Sequence, residues 1–204
     1  MRRLLMSILL ALVAAPVAQA KEVKAITPLA IAAGQPIRIT GMDLDYAPKV
    51  QAELAEGDAK AARKRADQGL PPLDGNSYPD GLDGAAYATM PFKQMFPLVV
   101  RDVVREWRLD EGRPVFLRIS IDYLKTADAA VALLVGSMDM LQGKVDVIDP
   151  ASGQSLGAFK VEIRDMKAGW ADMLVRGGGI REKLAERFAL AIAKHMSGRK
   201  TMAG

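Results

Sequence analysis

Residues 142–163 constrain the fold more than any other stretch of the chain. From Gln142 to Ile148, and again from Leu156 to Ile163, polar and apolar side chains alternate. That is the period of a strand with one wet and one dry face. Between the two arms, Asp149-Pro150-Ala151-Ser152-Gly153 has the chemistry of a hairpin turn. The second arm places Phe159, Val161 and Ile163 on one side and Lys160, Glu162 and Arg164 on the other. A hairpin of this kind must bury its apolar side against something else.

Two helical stripes can supply the cover. Phe92, Phe96, Val99, Val100, Val103, Val104 and Trp107 recur at helical spacing with Arg101, Asp102, Arg105 and Glu106 between them. Proline lacks an amide hydrogen, so Pro97 fits a first turn, which predicts a regular helix over residues 97–109. Near the C-terminus, Ile180, Leu184, Phe188, Ala191 and Ile192 form the apolar stripe of a helix ending near Ser197-Gly198. Between these helices, Val115, Leu117, Ile119, Ile121 and Tyr123 alternate with Phe116, Arg118, Ser120 and Asp122 as a further half-buried strand. Residues 126–136 read either as a short helix capped by Thr126 or as a strand through Val131–Val135. The order predicts an α+β domain over residues 91–198: an antiparallel sheet of three to four strands covered on one face by two helices. Residues 199–204 read as a flexible tail.

Residues 21–90 carry weaker signals and read as an irregular, partly helical region. Pro36-Ile37-Arg38-Ile39-Thr40 alternates like a short strand. Residues 47–68 are charged and alanine-rich, helical by propensity but with a thin apolar face. Residues 70–84 are a loop, punctuated by three Asp-Gly pairs and three prolines.

Residues 1–20 read as a secretory signal peptide. Arg2-Arg3 precede an apolar run from Leu4 to Val13, and Ala18-Gln19-Ala20 supplies a small-x-small cleavage site. The run is interrupted by Ser7, is followed by Pro16, and falls short of the ~20 apolar residues that span a bilayer. Cleavage after Ala20 places the protein in the periplasm or outside the cell. No later segment is long and apolar enough to span a membrane. The leader holds two of the 28 basic residues and no acidic one, so the remainder carries 26 basic against 24 acidic side chains. Such a balance does not suggest a nucleic-acid partner. The chain has no cysteine, which excludes disulfides, thiolate metal sites and lipid attachment at a leader cysteine.

Arg176-Gly177-Gly178-Gly179-Ile180-Arg181 is the most distinctive local motif. Glycines leading into a helix leave backbone N–H groups free where the helix dipole favours an anion, and two arginines flank the point. The same residues also suit a plain flexible turn, and the spacing is not that of a phosphate-binding Walker loop. Just before them Met166, Trp170, Met173 and Leu174 form an apolar cluster, either a partner surface or a cover for the sheet edge. Asp74, Asn76, Asp80 and Asp83 gather oxygen ligands, but Pro79 and Ala85 stand where an EF-hand needs Gly and Glu. The single histidine, His195, falls in the last turn of the final helix, where a cation complements the dipole. Asp122, Asp139, Asp146 and Glu162 lie on or near strands, most of them on the polar face, and no G-x-S-x-G elbow activates a serine. No metal site, cofactor or catalytic residue is assigned.

Two segments, LQGKVDVIDPASGQSLGAF at 141–159 and RGGGIREKLAERFALAIAKHMSG at 176–198, resemble a loosely defined group of uncharacterised proteobacterial envelope proteins. Many members of that group are lipoproteins of the outer membrane; this chain lacks their lipid-bearing cysteine. The resemblance covers under half of the chain, and it implies a fold and a compartment without an activity. The expectation is an exported, non-catalytic envelope protein that binds a protein partner or ligand through residues 170–181. The alternatives are a binder of anionic small molecules or lipid headgroups at Arg176, Gly177, Gly178, Gly179 and Arg181, and a hydrolase that uses carboxylates.

Overall fold

The computed structural model describes residues 22–32, 34–70, 90–126, 138–166 and 180–201. Its centre is the expected hairpin. Strand β4, Met138–Ile148, pairs antiparallel with β5, Ser155–Met166, with Leu141 opposite Ile163 and Val145 opposite Phe159. The turn forms as the residues dictate. Asp149 Oδ1 accepts the Ala151 N–H at 2.9 Å, and Gly153 takes a positive φ of 71° that a side chain would disfavour. Strand β3, Arg113–Lys125, adds antiparallel to β4 and buries Val115, Leu117, Ile119 and Ile121 completely.

The α+β class stands, and the described residues form a sheet of five strands rather than three or four. Both edge strands come from the region read as irregular and partly helical; the short strand expected at residues 36–40 is the start of β2, while β1 has no counterpart in the sequence reading. Strand β1, Val23–Thr27, lies against β5, and β2, Ile37–Tyr46, lies against β3, giving the order β1-β5-β4-β3-β2. Edge strands are polar and exposed on one margin, so alternation marks them poorly. The β2–β3 pairing is parallel, unlike the other three. Two described helices lie between β2 and β3 in the chain, and only a long crossover returns a strand in parallel.

Helix α1, Pro48–Asp67, starts on a proline at the position where a missing N–H costs nothing. Only Val50 and Leu54 of its described side chains are buried, so its apolar face is as thin as the sequence suggests. Helix α2, Phe92–Glu106, begins a turn earlier than Pro97 implies and holds that proline inside. The turn ahead of Pro97 buries Phe92, Met95 and Phe96, at about 1.5–3 kcal/mol for each large side chain. That gain offsets the lost hydrogen bond. Helix α3, Ile180–Ser197, buries Leu184, Phe188, Ala191 and Ile192 as the stripe predicts. Helices α2 and α3 pack together on one face of the sheet, and α1 lies beside β3 and α2. A line of rings crosses the interface: Tyr46 to Phe92 at 6.4 Å, Phe92 to Phe96 at 5.4 Å and Phe96 to Phe188 at 5.5 Å between centroids. Gly143 in β4 leaves room for the Phe188 ring, where a β-carbon would stand 3.1 Å from Cζ.

One strand position corrects the sequence reading in a way that matters for the surface. A bulge between Ile121 and Tyr123 inserts an extra residue into β3, so Leu124 takes the next core position and Tyr123 turns to the uncovered face, 41% exposed.

Candidate functional site

Among the described residues, two regions concentrate polar chemistry: one end of the helix layer, and the uncovered face of the sheet, on which no described helix lies. At the end of the helix layer, Arg181 on the first turn of α3 donates from Nη1 to Asp58 Oδ1 at 2.7 Å and from Nη2 to the Met90 carbonyl at 3.3 Å. The same Asp58 oxygen accepts the Phe92 N–H at 2.8 Å, so a carboxylate from α1 caps the start of α2. Gly57 makes the space: a β-carbon there would stand 2.7 Å from Arg181 Nη1. Three helices thus meet on one ion pair. Tyr46 lies beside it with its hydroxyl buried, and burial, reinforced by the Asp58 charge, pushes that hydroxyl well above the usual tyrosine range.

A second cluster sits where β5 ends. Arg187 on α3 donates to Glu22 at 2.8 Å, to the Arg164 carbonyl at 3.0 Å and to Asp165 at 3.3 Å, tying the entry to β1 and the end of β5 to the helix. Lys183 holds the other Asp165 oxygen at 3.0 Å. Asp139, opposite Asp165 in register, is fully buried rather than on the polar face.

The uncovered face of the sheet has a different character. Lys24, Lys160 and Lys144 stand in register on β1, β5 and β4, and Ser120 and Asp45 continue the row on β3 and β2. Lys144 reaches Asp146 at 3.0 Å, and Arg164 pairs with Glu162. Gln142, opposite both Glu162 and Tyr123, lies next to the row.

Of the residues expected to form a site, Arg181 is paired with Asp58. Arg176, Gly177, Gly178, Gly179, Trp170, Met173 and Leu174 lie outside the described residues, as do the acidic loop from Asp74 to Asp83 and residues 127–136 of the ambiguous stretch. His195 packs its ring on Phe159, 4.4 Å between centroids, in the last turn of α3. Asp122 is exposed on the β3 bulge, while Asp146 and Glu162 are the ion-paired acids of the uncovered face. No group of three or more metal-ligating side chains occurs among the described residues, and none of their helices is long and apolar enough to cross a membrane.

The lysine row is absent from the sequence reading, though part of it is legible. The 149–153 turn sets the register that brings Lys144 opposite Lys160. Lys24 arrives from a distant strand that no local pattern announces.

The sequence matches no family model and no curated protein. Solved structures give distant likenesses. A PelC dodecamer variant from Paraburkholderia phytofirmans is 9% identical, with a TM-score of 0.36, over 88% of this chain and 99% of that one. Protein XCC0632 from Xanthomonas campestris is 9% identical, with a TM-score of 0.37, over 85% and 90%. Lipoprotein GNA1162 from Neisseria meningitidis is 12% identical, with a TM-score of 0.31, over 80% and 100%. None reaches the similarity at which a function transfers.

Proposed function

We propose that this chain is an exported, non-catalytic binding protein of the cell envelope, and that it meets its partner on the uncovered face of the sheet. The observation that carries this reading is the asymmetry of the layers. All three described helices lie on one side of the sheet, while the other side presents charged and hydrogen-bonding side chains across the five described strands. The clusters around Arg181 and Arg187 are internally paired and hold elements together, as structural ion pairs do. The leader-like residues 1–20 support export.

Differential lysine acetylation tests the contact face. Lys144 and Lys160 are expected to be protected in intact cells relative to the purified protein, while Lys49 and Lys194 react equally in both. Equal reactivity of Lys144 and Lys160 in the two settings would overturn the reading. N-terminal sequencing of the protein from cells tests export: the expected first residue is Lys21, and a chain that keeps Met1 in the cytoplasmic fraction would refute it.

The second reading places an anion or lipid headgroup at Arg176, Gly177, Gly178, Gly179 and Arg181. Its support is that a regular helix begins at Ile180, directly after the glycines. The engagement of Arg181 with Asp58 leaves Arg176 as the cation that site would rely on. The apolar contact surface at Trp170, Met173 and Leu174 is proposed with it.

A further inference from the structure

Like charges directly opposite one another on neighbouring strands weaken a sheet. Lys24, Lys160 and Lys144 nevertheless stand in register on three adjacent strands. The nearby carboxylates neutralise one member of the row alone: Asp146 pairs with Lys144, while Glu162 is engaged by Arg164. Lys24 and Lys160 form no ion pair among the described residues.

Two uncharged groups flank the cations. Ser120 extends the row onto β3, and Gln142 stands beside Lys144 on β4; both donate and accept hydrogen bonds. Opposite Gln142 is Tyr123, which the bulge in β3 removes from the core and presents to solvent. Bulges commonly re-aim a side chain at a functional surface. Ammonium groups anchored on strands about 4.8 Å apart, neutral hydrogen-bonding groups and an exposed ring form one set. Together they suit an acidic sugar chain: its carboxylates face the lysines, its hydroxyls meet Ser120 and Gln142, and the C–H face of one ring lies on Tyr123.

We propose that the uncovered face binds a carboxylate-bearing oligosaccharide laid across the strands from Lys24 towards Ser120 and Tyr123. The inference rests on the reading of this face as the contact surface. An anionic bilayer fits less well, because Asp43 and Asp45 occupy the same face on β2 and would meet its headgroups. The lysine row itself carries no large apolar side chain to insert.

Calorimetric titration of the purified protein with short polygalacturonate fragments tests the proposal. Saturable binding is expected, weakening as salt rises. It should fall about tenfold in a Lys24→Ala, Lys160→Ala double variant, the loss expected when two surface cations leave an ionic contact. Tyr123→Ala should weaken it several-fold, and neutral dextran should not bind. The melting temperature of the double variant should match or exceed that of the natural chain, since repulsion is relieved; a clear fall would speak against a row kept at a cost to the sheet. Absence of saturable binding, or undiminished binding by the variants, would overturn the proposal. So would tighter binding of poly-glutamate or of anionic phospholipid vesicles than of the uronate chain. Protection of Lys144 and Lys160 in cells without uronate binding would refute the ligand and spare the contact face; no protection in cells would remove both.

Discussion

The guanidinium of Arg181 lies against Gly57 in the middle of α1, where a β-carbon would stand 2.7 Å from Nη1. A helix-interior glycine ordinarily costs ~0.5–1 kcal/mol relative to alanine. Here it leaves the gap through which Arg181 reaches Asp58. Gly57→Ala should therefore bring no gain in the natural chain. In an Arg181→Ala background the same substitution should stabilise by about 1 kcal/mol, because only the helical preference is left. Urea unfolding of the four members of this cycle measures the coupling; a stabilising Gly57→Ala in the natural chain would show that the gap is not needed.

Arg108, just past the end of α2, has a φ of 49°, in the left-handed region that favours glycine. The Leu109 N–H reaches back to the Val104 carbonyl at 2.9 Å, so the chain closes the helix at this residue. Arg108 is exposed, so little packing is lost by truncating it. Arg108→Gly should raise stability by about 0.5–1 kcal/mol, read as a higher denaturant midpoint. An unchanged or lower midpoint would mean that the arginine makes a contact worth as much as the strain.

Gly143→Ala should act in the opposite direction. A β-carbon there would stand 2.7 Å from the Ser120 carbonyl oxygen and 3.1 Å from Phe188 Cζ, and the carbonyl belongs to a paired strand that has little room to move. The expected loss is about 1–3 kcal/mol, as for other over-packed cores. Thermal unfolding checks it, and a melting temperature at or above the natural value would contradict the close approach of α3 to β4.

Asp149 governs an acid-dependent contribution. The hydrogen bond from the Ala151 N–H holds its carboxyl below the usual aspartate range, and the Arg113 side chain at 3.4 Å adds to the effect. A depressed carboxyl pKa stabilises the fold fully above the pKa of the unfolded chain, and the contribution fades as pH falls through the folded value. Asp149→Ala should therefore lower the urea midpoint at pH 7, and the gap should narrow steadily below about pH 4. A gap that stays constant into strong acid would assign the effect to the turn's shape instead of its charge.

How much of this could be read from residues alone differs by element. The hairpin, the α2 stripe and the α3 stripe are legible because their side chains repeat with the period of their own secondary structure and face one common core. The start of α2 is not, because proline's local penalty is outweighed by Phe92, Met95 and Phe96, whose burial depends on other elements. Tyr123 misleads for a different reason: alternation assumes one residue per step, and the extra residue in β3 breaks that count. The site chemistry follows the same division. Arg181 is visible as a cation at a helix start, but its partner Asp58 is far away in sequence and carries no local mark. The pairing of Lys144 with Lys160 follows from one turn, whereas the third lysine depends on where β1 docks.

The placement of β1 and β2 at opposite edges also fixes an order of events. Val23 has no strand to join until Val161 exists, and Ile37 none until Arg113 exists. The front of the chain is therefore made well before the strands it joins. A chain threaded through a narrow passage from its front end meets no finished sheet behind the leading segment, since its own strands supply the two outermost places of a scaffold still to come. The wiring that leaves β1 without a local signal also leaves both edge strands unpaired until residues far along the chain are in place.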